Sequence, residues 1–136
     1  LRPLLGYSGA MAGRTKIYFD GGCRPNPGTM EIAVVMRGEA RIDRDVGQGG
    51  SMDAEWLALI AALRLAQTRG LENFVLLGDA AAVIAQVNGT VRVRGGQTAH
   101  LAAFRALVGD APMPRVRAIG RGQNLAGIAL ARRYGR

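Results

Sequence analysis

Three acidic residues, Asp20, Glu55 and Asp79, occupy sequence contexts that can bring them to one place. Asp20 and Asp79 each follow a short apolar run, YF-Asp and LL-Gly-Asp. In open α/β sheets, ligands bind beyond the carboxyl ends of such strands. Glu55 falls in the expected first turn of an Ala- and Leu-rich helix, free to point at the same sheet end. Carboxylates that converge repel one another, at a cost that a cation offsets. Mg²⁺ suits such a site, with Mn²⁺ as its substitute, because it takes oxygen ligands, keeps waters and bridges to phosphate. Each acid also has a plainer use. Asp20 can start a turn before Gly21 and Gly22, Glu55 can serve the helix dipole, and Asp79 can cap a helix starting at Ala80. Only the joint arrangement points to metal chemistry.

The elements that must position these acids follow from local pattern. Residues 15–19 (TKIYF) are β-prone and end at Asp20, and Arg24-Pro25-Asn26-Pro27-Gly28 is a turn on composition. Residues 31–37 form a second strand and residues 41–46 a weaker third, joined by a hairpin turn at Gly38-Glu39, with residues 47–51 as loop. Residues 53–69 form a helix, apolar on nearly every side and therefore buried on more than one face, with Trp56 in the core and Gly70 ending it. Residues 74–77 are a buried strand, and residues 80–87 a helix stopped by Asn88-Gly89. Residues 90–97 are loop or edge, residues 98–108 a helix that Thr98 can cap, residues 116–119 the last strand and residues 124–134 the last helix. The order β-β-β-α-β-α-α-β-α predicts an α/β domain. Its mixed five-stranded sheet has three antiparallel strands and then two parallel ones, with helices on both faces.

The 136 residues fit one domain, expected over residues 13–136, with residues 1–12 a poorly ordered extension and Met11 resembling a start. Hydrophobic residues make up 49% of the chain and aromatics 5%, so the core is built from Ala, Leu, Val and Ile. Eighteen basic residues against ten acidic ones give +8, a charge that attracts polyanions, nucleic acid first. Lys16 is the only lysine, so the excess is carried by arginine. Arg24, Arg92, Arg94, Arg115, Arg117 and Arg121 are candidates to guide phosphates, whereas Arg132, Arg133 and Arg136 suit a helix C-terminus. Cys23 stands alone, which excludes an intrachain disulfide and fits a reducing cytoplasm. No apolar run approaches the roughly 20 residues that span a bilayer.

The stretch IYFDGGCRPNPG resembles the first-strand signature of type 1 ribonuclease H. In that signature an aspartate is followed by two small residues and a turn ending Asn-Pro-Gly. MDAEWLALIAAL resembles the family's second motif, and VLLGDAAAVIAQVNG the third. The match runs over residues 15–133 and implies a ribonuclease H-like fold. It implies a metal-dependent endonuclease that cuts the RNA strand of an RNA/DNA hybrid, leaving a 3′-hydroxyl and a 5′-phosphate. By position, Asp20 is implied to bridge two metal ions, and Glu55 and Asp79 to hold the second. One ion activates water and the other stabilises the leaving oxygen. Gly21, Gly22, Cys23, Arg24, Asn26, Ser51 and Arg121 are implied to contact the nucleic acid.

The chain departs from the family in its fourth motif, Asn-x-x-Ala-Asp-x-Leu-Ala. It reads Asn124-Leu125-Ala126-Gly127-Ile128-Ala129-Leu130-Ala131, which puts Ile128 where a metal-binding aspartate belongs. Residues 115–136 contain no acid to replace it. Ser51 and Met52 stand in place of two asparagines, and Ala80 in place of a small polar residue. His100 lies in a helix away from the motifs and reads as structural. The leading expectation is a hybrid-cutting endonuclease, with weakened activity. The alternative is a ribonuclease H-like nucleic-acid-binding module impaired in cleavage. A third reading, an integrase-like nuclease, is disfavoured by the spacing of the acids and the Asn-Pro-Gly turn.

Overall fold

A computed structural model describes residues 13–132. The expected extension at residues 1–12, Arg133, Arg136 and the end of the last helix lie outside the described residues. The described elements run β1 (Thr15–Cys23), β2 (Gly28–Met36), β3 (Glu39–Asp43), β4 (Gln48–Gly49), α1 (Ser51–Thr68), β5 (Phe74–Gly78), α2 (Ala81–Val87), α3 (Gln97–Val108), β6 (Arg115–Ala118), a 3-10 turn (Arg121–Gln123) and α4 (Leu125–Ala131). The main sheet has the order β3-β2-β1-β5-β6, with the two-residue β4 paired beside β2. β1, β2 and β3 are antiparallel, and β5 and β6 join in parallel. This is the expected mixed sheet of three antiparallel and two parallel strands.

Several boundaries differ from the sequence reading. β1 does not stop before Asp20 but continues to Cys23, because β2 pairs with it from Ile17↔Met36 to Cys23↔Met30. Its parallel pairing with β5 ends at Tyr18↔Leu77. Asp20 therefore lies inside a strand but beyond the last parallel rung, which preserves the expected ligand-binding edge. The β2–β3 turn is Arg37-Gly38, one residue earlier than expected. Both residues have positive φ, 52° and 79°, as a two-residue hairpin turn of the mirror-image type requires. Helix α1 starts at Ser51, inside the expected loop, because Asp53 Oδ2 accepts the Gly50 N–H at 3.1 Å and closes the first turn. Glu55 thus stands in the second turn. Thr98 does not cap α3; its hydroxyl donates to the Gly95 carbonyl at 2.7 Å.

The sheet buries both faces. On one, Ile17, Phe19, Val34, Met36, Leu76 and Val116 pack against Trp56, Leu59 and Leu63 of α1 and Val83 of α2. Helix α3 closes this side through Leu101 and Phe104, whose ring meets Trp56 edge-on. Fully burying a side chain of this size contributes about 1.5–3 kcal/mol. On the other face, Ala33 and Val35 pack against Ala126, Ala129 and Leu130 of α4. Small residues let this short helix lie close to β1 and β2. Among the described residues, no helix is long and apolar enough to cross a membrane.

Candidate active site

Three elements bring the three acids together: β1 carries Asp20, α1 carries Glu55, and the turn after β5 carries Asp79. One carboxylate oxygen from each lies within 4.8 Å of the other two. Glycine makes two of the approaches possible. A Cβ on Gly21 would collide with the Ala54 carbonyl, so only glycine lets β1 pass this close to α1. The same contact lets the Gly21 N–H donate to Glu55 Oε1 at 3.0 Å, which fixes the carboxylate beside Asp20. A Cβ on Gly78 would run into the Phe19 ring, so Asp79 enters over a close packing of β5 on β1. Asp79 does not cap α2, whose N-cap is Ala80 without a side-chain bond.

A buried polar hinge ties α4 to the same place. Asn124 is fully buried; its Nδ2 donates to the Phe19 carbonyl at 3.0 Å, and its Oδ1 accepts the Ala126 N–H at 3.1 Å. One side chain thus caps α4 and takes up a strand carbonyl next to Asp20, past the last parallel rung. The following turn of α4 lies directly over Asp20: a Cβ on Gly127 would stand 3.4 Å from Oδ2.

The electrostatics match converging charges. Asp20 is pushed up to about 7, first by burial and then by the charge of Asp79, against the opposing pull of the Gly21 N–H and Arg121. Glu55 is pushed up to about 8, again first by burial and then by the charge of Asp20. Two carboxyls, Asp20 and Glu55, whose ionised forms are this unfavourable without a counter-charge, with the oxygens of Asp79 beside them, fit a hard divalent cation.

The acids open into a cleft of about 480 Å³ that is also lined by Gly21, Gly22, Cys23, Arg24, Ser51, Arg121 and Ile128. Six of the seven residues expected at a substrate surface are therefore on its wall. The seventh, Asn26, stands just behind it. Its Oδ1 accepts the Ser51 N–H at 3.1 Å and the Cys23 thiol at 3.4 Å. This pins the Pro-rich turn to the start of α1. Arg92, Arg94, Arg115 and Arg117 do not line the cleft. The register Tyr18↔Leu77↔Arg117 nonetheless puts Arg117 on the α4-facing side of the sheet, in line with Tyr18 and Asp20. Met52 and Ala80 pack against the core. His100 is outside the cleft: it stacks on Trp56 and bonds Asp53 at 2.9 Å, in keeping with a structural role.

One acid on the cleft wall was missed by sequence reasoning. Glu31 of β2 is 6% exposed and lines the cleft, with Arg44 Nη1 donating to it at 3.0 Å. Residues 115–136 hold no replacement acid, whereas this one arrives through sheet pairing opposite Gly22. The available signal was a glutamate opening an otherwise apolar strand, EIAVVM.

Comparison with known proteins accords with this geometry. The family model described as reverse transcriptase-like matches residues 18–134. The chain belongs to this family, in its type 1 ribonuclease H branch. A ribonuclease HI of Halobacterium salinarum is 37% identical over 82 residues, which span 57% of this chain and 41% of that protein. The chain thus matches less than half the length of that curated relative. The crystal structure of RNase H1 from the same archaeon superposes with a TM-score of 0.77 at 29% identity, covering 87% of this chain and 94% of that one. LC11-RNase H1, solved in complex with an RNA/DNA hybrid, gives 0.74 at 25% identity, covering 82% of this chain and 89% of that one.

Proposed function

We propose that this chain is a metal-dependent endonuclease that cleaves the RNA strand of RNA/DNA hybrids. The observation that carries the reading is the convergence of Asp20, Glu55 and Asp79 within 4.8 Å in a ribonuclease H-like fold. The hybrid bound by LC11-RNase H1 supports the substrate class. Asp20, Glu55 and Asp79 would hold Mg²⁺, or Mn²⁺ in its place, which supplies Lewis-acid activation of water and stabilisation of the leaving oxygen. The remaining work falls to the chain. Arg24 and Arg121, on the cleft wall, offset phosphate charge. Gly22 offers backbone without a side chain, and nothing lies within 4 Å of its Cβ position, so a sugar-phosphate strand can approach closely. Ser51, held through its backbone by Asn26, lines the cleft and can offer its hydroxyl to the substrate.

A second reading, a binding module impaired in cleavage, is favoured by one observation. Ile128 is 40% exposed on the cleft wall, where the family pattern has an acid. A single assay separates the two. Uniformly labelled hybrid is incubated with Mg²⁺ or Mn²⁺, beside single-stranded RNA and duplex controls, using wild type and Asp20→Asn. Cutting confined to the RNA strand and abolished by Asp20→Asn supports the endonuclease. Tight hybrid binding without cutting supports the binding module, and cutting that survives Asp20→Asn in nuclease-free protein refutes the metal mechanism.

A further inference from the structure

Glu31 carries a charge into the cleft that the three-acid site does not account for. On antiparallel strands, directly opposed residues share a face. The pairs Gly22↔Glu31 and Asp20↔Ala33 therefore put Glu31 and Asp20 on the same side of the sheet, the side covered by α4. They stand one diagonal step apart, about 7–8 Å between backbone positions, a distance within reach of a long side chain such as that of Glu31. Gly22, directly opposite Glu31, has no side chain to fill the gap, and its Cβ position faces open space. From above, α4 contributes Gly127, Ile128, Leu130 and Ala131, none of which has a side chain that offers a ligand atom.

The energetics of the position point the same way. Burying an ion pair costs several kcal/mol in desolvation, and an apolar residue of similar size commonly serves folding as well. Glu31 is nonetheless an acid, 6% exposed, and it is held by Arg44, whose side chain is 36% exposed at the rim. A partner so placed can leave for solvent or for a phosphate.

We propose that Glu31 is the fourth carboxylate of this site. When divalent cation is bound, Glu31 swings from Arg44 to the α4-facing side of Asp20, where the family pattern has an acid and this chain has Ile128. Arg44 is then free to meet substrate phosphate. The inference rests on the metal-dependent reading above and is tested separately from it.

The test is calorimetric titration of the folded chain with Mn²⁺, without substrate, read beside Mn²⁺ electron paramagnetic resonance and far-UV circular dichroism. Asp20→Asn should abolish binding. Glu31→Gln should weaken Mn²⁺ on the order of tenfold or more, the scale seen when groups around a metal are removed. Arg44→Ala should bind Mn²⁺ at least as tightly as wild type, since Glu31 no longer has to leave the Arg44 ion pair. Glu31→Gln combined with Ile128→Asp should recover affinity. If Glu31→Gln titrates like wild type while Asp20→Asn loses binding, this inference falls and the metal site stands. If Glu31→Gln and Arg44→Ala weaken binding alike, the pair is a strut of the fold and the inference falls as well. Wild type that binds no Mn²⁺ overturns both readings. Should Glu31→Gln not fold, Arg44→Ala decides: binding equal or tighter supports the proposal, and weaker binding overturns it.

Discussion

Replacing Asp20 by Asn should make the metal-free protein more stable at alkaline pH while removing its response to metal. Asp20 is raised from 3.8 to about 7 and Glu55 from 4.5 to about 8, each chiefly by burial. Between about pH 4 and pH 8 the native state therefore binds more protons than the unfolded chain, so stability falls as pH rises through that window. The shift at Asp20 alone corresponds to an upper limit on the order of 4 kcal/mol once both acids are ionised. Asn remains a partly buried polar group, so about 1–3 kcal/mol of this should be recovered. In a domain of this size that is roughly 3–5 °C in Tm per kcal/mol. The assay is thermal and urea unfolding of wild type and Asp20→Asn at pH 5 and pH 8.5, each with chelator and with excess Mg²⁺. With chelator, the variant should melt higher than wild type at pH 8.5 and by clearly less at pH 5. With Mg²⁺, wild type should gain stability according to ligand concentration over Kd, and the variant should not. Equal stabilisation of the variant at both pH values, or none at pH 8.5, would refute the argument that burial and mutual repulsion set the charge state of this cluster.

Gly21→Ala should cost about 3 kcal/mol in urea unfolding and weaken Mn²⁺ binding, because its Cβ meets the Ala54 carbonyl at the point that sets Glu55. Gly22→Ala, facing open space, is the control and should cost less than about 1 kcal/mol. His100→Ala should lower stability by about 1 kcal/mol through loss of the Asp53 bond and the Trp56 stack. It should leave Mn²⁺ affinity unchanged in the same titration, and a large loss there would mean that α3 takes part in setting the acids.

The acids Asp20, Glu55 and Asp79, the mixed sheet and the Pro-rich turn were legible in the sequence because each rests on local pattern. Apolar runs ended by acids, an Ala-Leu helix and a Pro-Asn-Pro-Gly turn all act within a few residues. Much of the cleft wall was legible for the same reason, since Gly21 to Arg24 are contiguous with Asp20 and Ser51 is near Glu55 in sequence. The length of β1 was not legible, because whether Asp20-Gly21-Gly22-Cys23 is strand depends on β2 lying beside it. Neither was Glu31. β2 buries Ala33 and Val35 on one face and Val34 and Met36 on the other, so its apolar run carries no alternation to say which way the glutamate points. Only register assigned it to the face of Asp20. Asn124 likewise gained its second role from a carbonyl of β1 far away in sequence. Local pattern decides which elements form, because it reflects backbone and side-chain preferences of neighbours. Which charges meet is decided by strand pairing and helix docking, which join residues that sequence order keeps apart.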